Sequence, residues 1–278
     1  MTFWLREATL QIGANRYTLD TLNFSFEVPF EDNEQLPVAT ITAYNLSENT
    51  RASILQGHAV ILNAGYEGDI GCIFIGGVAG LAHRKENTEW ITKITATSAT
   101  EEWLSGQVNK TYKRGIHAHE MLIDLLNIFG MEVGMLELTE NKTYPRGYVC
   151  RDKLKDVIQE IAVRDCKSRM LISPIGQIVI NNPNTGINVG YVLSAASGLL
   201  KATEEDEVIP IETDLNRHND EEGENLKTRS CLLNYHIGPA DIVVVQSLDL
   251  NGRFMVVRGR HLGSRDGDWK TEMELRAL

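Results

Sequence analysis

The feature that most restricts this chain is a strict period of two. Trp269, Thr271, Met273, Leu275 and Ala277 alternate with Lys270, Glu272, Glu274 and Arg276, and Leu22, Phe24, Phe26 and Val28 alternate with Asn23, Ser25 and Glu27. On a helix these residues would scatter around the axis, whereas on a strand they separate into one apolar and one polar face. Both stretches are therefore expected to be half-buried antiparallel strands. The segments ATITAY after Pro37, 60–66 and 89–97 are strand-like too, as are 231–233, 241–248 and 252–257. A single short helix at 48–56 interrupts the first group, with Ser47 placed to cap it and Gly57 to end it. The first hundred residues thus predict a barrel or a sandwich.

The middle changes period. Leu122, Leu125, Leu126 and Phe129 fall at helical spacing within 116–129, with Gly130 as the stop, and Leu154, Val157, Ile158 and Ile161 share one face of a helix expected at 152–163. TYKRGIHAHEMLIDLLNIF from Thr111 aligns with TYPRGYVCRDKLKDVIQEI from Thr143 without a gap, at a constant offset of 32 residues. Two copies are too few for a solenoid, so the repeat predicts a paired α+β module. SRMLISPIGQIVINNP then predicts two strands joined at 174–176, and the acidic stretch 204–224 predicts a mobile loop.

A length of 278 residues allows two or three compact domains, and 42% hydrophobic with 23% charged residues describes a chain that folds. The net charge of −11 repels phosphate, which disfavours gripping nucleic acid or an anionic membrane. No run approaches the roughly 20 apolar residues of a membrane span, and MTFWLREATL lacks the features of a signal peptide, so synthesis in the cytosol is expected. Cys72, Cys150, Cys166 and Cys231 show no zinc spacing. The closest pair, Cys150 and Cys166, brackets the second predicted helix, roughly 18 Å long and beyond disulfide reach, so buried reduced thiols are expected.

The candidate sites are few. VVRGRHLGSRDGDW, from Val256, gathers polar residues around glycines. It reads as a solvated hairpin tip, with Gly263 and Gly267 supplying the positive φ of the connection and Gly252 doing so one hairpin earlier. Asp266 and Asp268 resemble part of a calcium loop without its remaining ligands, and His261 with Asp266 lacks a nucleophile to complete a catalytic set. His117 and His119 would point about 200° apart on a helix and cannot share an ion. GCIFIGGVAG lacks the signatures of a phosphate loop and reads as a strand with close backbone packing. No catalytic residue, metal site or cofactor site is expected.

ATITAYNLSENTRASILQGHAVILNAGYEGDIGCIFIGGV resembles the first barrel of phage tail baseplate hub proteins, through Asn45, Leu46, Ser47, Thr50, Arg51, Gly57, Ala64, Gly65 and Tyr66. ITKITATSATEEW resembles the closing strand of that domain, and SGLL, SCLLNYHIGPADIVVVQS, NGRFMVVRGRHLGSRDGDW and the final strand resemble the second half of these hubs. Tyr235 departs from the pattern, which commonly has proline after the asparagine. The resemblance implies an α+β, mainly β fold with a first β-barrel domain at 1–105, an α+β module at 106–185 and a second β-barrel domain at 186–278. It also implies a homotrimeric ring in the tail of a virion or phage-tail-like particle, assembled in the host cytoplasm. Its partners would be the tail tube protein, the central spike protein and other baseplate proteins, with DNA only as non-specific passing cargo and no membrane anchoring. Some of the carboxylates of the two barrels are then expected to line the channel.

Two other functions compete. A carbohydrate-binding β-module for host attachment predicts exposed, coplanar rings at Trp4, Trp90, Trp103 or Trp269, whereas the strand positions of Trp90 and Trp269 predict core. A cell-wall hydrolase, which some longer hub proteins carry as an extra domain, is not expected, since it would need a further hundred residues or so beyond those the other units take up.

Overall fold

The computed structural model describes residues 5–98, 105–200 and 226–278. The expected loop at 204–224, together with Trp4 and Trp103, lies outside the described residues. The first part contains β1 (Arg6–Ile12), β2 (Asn15–Thr18), β3 (Phe24–Glu31), β4 (Val38–Tyr44), α1 (Glu48–Ser53), β5 (Ala59–Tyr66), β6 (Asp69–Glu86) and β7 (Glu89–Thr97). The middle contains β8 (Gln107–Tyr112), β9 (Ile116–His117), α2 (Ala118–Phe129), β10 (Glu132–Leu136), β11 (Thr143–Tyr144), β12 (Tyr148–Lys153), α3 (Leu154–Gln159), β13 (Arg169–Ile172) and β14 (Gln177–Asn181). The last part contains β15 (Ile187–Ser194), β16 (Lys227–Leu232), β17 (Asp241–Gln246), β18 (Asn251–Ser264) and β19 (Trp269–Ala277).

Alternation carries the sheet. In β3 every second residue is buried, and Phe24, Phe26, Val28 and Phe30 are at most 4% exposed. Each such side chain contributes about 1.5–3 kcal/mol relative to an exposed one. β19 repeats the pattern with Trp269, Thr271, Met273 and Leu275 inward.

The described strands do not close into two cylinders. Twelve of them form one open sheet, ordered β15-β17-β18-β3-β4-β7-β6-β5-β1-β2, with β19 on β18 and β16 on β19. The reason lies in β18, whose 14 residues are long enough to serve three neighbours. Along one edge its first residues, Asn251 to Met255, pair with β17 and Arg258 to Ser264 pair with β3, while Phe254 to Gly263 pair with β19 on the other. The first and last parts of the chain therefore share a hydrogen-bonded seam. Two apolar clusters nevertheless fill separate volumes, one around Leu10, Phe24, Phe74 and Ile94, the other around Phe30, Val243, Val245 and Leu275.

The middle module has its own core, built on Leu122, Leu125, Phe129, Ile158 and Ile161. Its two sequence copies pair as an approximate twofold. Thr111 and Tyr112 lie opposite Val149 and Tyr148, while Ile116 and His117 lie opposite Tyr144 and Thr143. Position for position, each copy makes to the other the contact it receives, the isologous pattern of a dimer within one chain.

The helices differ from expectation at their ends. α1 stops at Ser53, with Thr50 N–H donating to the Ser47 side chain at 3.1 Å, and Gly57 serves the following turn at φ +85° instead of ending the helix. The second module helix starts at Leu154, not 152, because Asp152 and Lys153 remain paired to Val108 and Gln107 in the ladder. Its last turn, Glu160–Asp165, widens to a π-helix in which Cys166 N–H bonds the Ile161 carbonyl.

Candidate functional site

The polar cluster near the C-terminus divides by strand parity. His261 faces inward from β18, is 3% exposed and has its Nδ1 2.9 Å from Thr271 Oγ1; burial pushes its pKa down to about 4. It is a neutral core histidine at pH 7, held away from Asp266, which is exposed at the tip. Arg265 to Asp268 are the solvated residues. Arg6 of β1 clasps this tip by donating to the carbonyls of Ser264, Arg265 and Gly267 at 3.2, 3.3 and 2.7 Å.

The expected turn glycines act differently from one another. Gly252 has φ +147°, but it lies inside β18 opposite Val245, and the bend falls at 247–250, where Ser247 N–H reaches the Leu250 carbonyl. Neither Gly263 nor Gly267 has a positive φ. Gly263 is a strand residue, and a Cβ there would sit 2.1 Å from the Phe26 ring, so the requirement is for space. Gly267 does lie in the connection, where its N–H donates to Ser264 Oγ at 2.9 Å.

The outward side of the same strands is the candidate functional surface. Ser25 and Glu27 of β3, Thr40 and Thr42 of β4, Arg258 and Arg260 of β18, and Lys270, Glu272 and Glu274 of β19 share one face by register. All are partly exposed. Arg260 spans the seam, donating from Nε to Glu272 at 2.6 Å and from Nη1 to Glu27 at 2.9 Å. Lys270 joins Glu272 at 2.7 Å, and Arg258 joins Glu274 at 2.8 Å. Instead of a row of bare carboxylates, the face presents paired charges beside threonines. A guanidinium already shared between two carboxylates is poorly placed to exchange them for a phosphate.

His117 and His119 do not converge. His117 sits on β9 with Nδ1 2.9 Å from Thr143 Oγ1, and His119 lies in the first turn of α2 with its backbone N–H donating to Asn141 Oδ1. Among the described residues no three His, Cys, Asp or Glu side chains are grouped to hold a metal ion. The four cysteines are free thiols, three of them buried, and burial pushes Cys231 up to about 12. Glycines of β6 are packed against other groups, Gly71 against the Tyr235 ring and Gly76 against the Thr97 carbonyl.

Comparison with solved structures identifies this arrangement. A tail protein from Neisseria meningitidis MC58 superposes with a TM-score of 0.66 at 10% identity, over 98% of this chain and 97% of that one. The 43 kDa tail protein of prophage MuSo2 from Shewanella oneidensis superposes with a TM-score of 0.67 at 9% identity, again over 98% and 97%. The chain has the fold of phage tail proteins. A third tail-like fold, an E. coli component of the type VI secretion system similar in structure to T4 bacteriophage tail proteins gp27 and gp5, has a TM-score of 0.63 at 11% identity over 97% of this chain and 76% of that one. No family model matches the sequence. No curated protein matches it either.

Within this tail fold the sequence reading missed a duplicated polar cluster. The repeat extends backwards to Asn109-Lys110 and Asn141-Lys142, and each copy places a lysine and a tyrosine on one carboxylate. Lys110 and Tyr112 meet Asp124, while Lys142 and Tyr144 meet Asp165. The hydrogen bonds from Lys110 and Tyr112 hold Asp124 below its ordinary range. Burial alone would raise Asp165, but Lys142 and Tyr144 outweigh it and keep it low. NKTY in both copies was the available signal. The second carboxylate escaped it because Asp165 does not occupy the position that corresponds to Asp124.

Proposed function

We propose that the protein is a structural, non-enzymatic tail hub, a homotrimeric ring that joins a tail tube to a central spike and lines the delivery channel. The observation that carries this reading is the superposition with tail proteins over nearly the full length of both chains. The likeness to a secretion-system component similar to gp27 and gp5 supports the same position at a tail tip. The division at 1–105, 106–185 and 186–278 into two strand-built units that share one sheet and an inserted module is part of the proposal, supported by three main apolar clusters drawn mostly from those spans, with Phe30, Leu233 and Trp269 crossing between the outer two.

Two such units in each subunit give a trimer six similar faces toward a sixfold tube and a threefold face toward a spike, and closed symmetry keeps the contact from propagating into a fibre. The charge-paired face around Arg260 is the surface we assign to the channel, where passing DNA needs a wall that does not hold it. Tube, spike and other baseplate proteins are the partners, DNA is transient cargo, and the setting is a virion tail or phage-tail-like particle assembled in the host cytoplasm. The carbohydrate-binding reading finds little support at the described tryptophans, since Trp269 is 4% exposed and Trp90 lies under Arg51 at 4.1 Å.

Cryo-electron microscopy of the assembled tail tip tests the proposal. Three copies around an axis, with Glu27, Arg260 and Glu272 facing the lumen, are expected. A single peripheral copy, or a ring with this face turned outward, would overturn it.

A further inference from the structure

The start of β6, the end of β15 with the turn that follows it, and the loop after β16 line a cavity of about 220 Å³. Asp69 comes from the first part of the chain, while Tyr191, Ser197, Asn234, Tyr235 and His236 come from the last. Tyr235 Oη donates to Asp69 Oδ1 at 2.8 Å. The Tyr235 and His236 rings lie 3.9 Å apart between centroids and 31° from parallel, and the Tyr191 ring lies 5.2 Å from His236 at the same tilt. Gly71 makes room for this stack, since a Cβ there would stand 2.1 Å from the Tyr235 ring.

The chemistry of the cavity is one-sided. Aromatic faces attract cations through their quadrupoles, and a carboxylate adds a full negative charge at the rim. Burial, followed by the Asp69 hydrogen bond and charge, pushes the Tyr235 phenol up to about 12. No lysine or arginine is among the described residues that line the cavity. Its size falls below the roughly 300 Å³ at which small-molecule sites begin, which favours a single inserted side chain over a free ligand. A planar guanidinium can stack on a ring while hydrogen-bonding a carboxylate, which a compact ammonium does less well.

We infer that this cavity receives the guanidinium of an arginine presented by a neighbouring protein. The inference concerns the chemistry of the partner and does not rest on the hub assignment. The full-length protein, with its tyrosine and histidine rings isotopically labelled, is titrated with N-acetyl-L-arginine amide and followed by NMR. Saturable shifts at Tyr191, Tyr235 and His236 are expected, with affinity at least tenfold weaker in Asp69→Asn and unchanged in Asp266→Asn. The neutral isostere N-acetyl-L-citrulline amide, tested on the unaltered protein, is expected to bind at least tenfold more weakly, a comparison that survives if Asp69→Asn does not fold. Shifts that fail to saturate, citrulline binding equal to arginine, or tighter binding of N-acetylglucosamine would overturn the inference.

Discussion

Arg169 Nη1 lies 2.6 Å from Asp32 Oδ2, and the two side chains are only 7% and 8% exposed. The pair fastens β13 of the middle module to the segment that leaves β3, and Arg169 also donates to Asn181 Oδ1 at 3.0 and 2.9 Å. Burial pushes Asp32 up to about 6 although Arg169 pulls it down. Removing the arginine strands a buried carboxylate, so Arg169→Ala is expected to cost about 3 kcal/mol at pH 8. The loss should be smaller at pH 5, where protonation neutralises Asp32. Denaturant melts at the two pH values check this, and an equal loss at both would contradict it.

Asp241 is 7% exposed and accepts the Gly238 N–H at 2.7 Å, and burial pushes its carboxyl up to about 7. A raised carboxyl pKa means that the folded state holds the proton more tightly than the unfolded one. Its favourable contribution is therefore full below about pH 4 and is lost as pH rises through 7. Asp241→Asn keeps an oxygen for Gly238 and cannot ionise, so it is expected to stabilise the protein by about 2 kcal/mol at pH 8. It should have little effect at pH 4. Thermal melts across this range read the difference.

The glycines of β18 should rank by what a methyl group would strike. Gly259→Ala places a Cβ 2.3 Å from the Glu272 carbonyl, which belongs to a paired strand and cannot move alone, and a loss of about 3 kcal/mol is expected. Gly263→Ala meets the Phe26 ring and should cost about 2 kcal/mol, whereas Gly267→Ala meets mainly the Ser264 hydroxyl and should cost under about 1 kcal/mol. Urea midpoints of the three variants establish the order.

The duplicated tyrosines should be unequal. Asp165 has a side chain 18% exposed and Asp124 one 40% exposed, so loss of the phenol is compensated by water more readily at Asp124. Tyr144→Phe is expected to cost about 1.5 kcal/mol and Tyr112→Phe about 0.5 kcal/mol, measured by chemical denaturation. Equal losses would mean that the difference in exposure has no energetic consequence.

Much of the local structure was legible because it depends on neighbours in sequence. Alternation in β3 and β19 and the apolar spacing of α2 report which side of an element must leave water. Gly130, at φ +71°, stops α2 where the spacing predicts. The paired α+β module could be expected because its two copies keep the same buried positions at a fixed offset.

Tertiary structure decided what depends on residues distant in sequence. The alternation of β18 says that it pairs, but not that β3, more than two hundred residues earlier, takes one edge of its second half and opens both expected cylinders into one sheet. Gly263 is read as a turn from its neighbours, and only the Phe26 ring shows that it is there for space. The charge of −11 is a property of composition, whereas the pairing of Arg260 with both Glu27 and Glu272 is a property of register. Sequence sets the sign and periodicity of each segment because those are local quantities. Which charges end up neutralised, and which edges remain unpaired, follows from how distant strands choose one another.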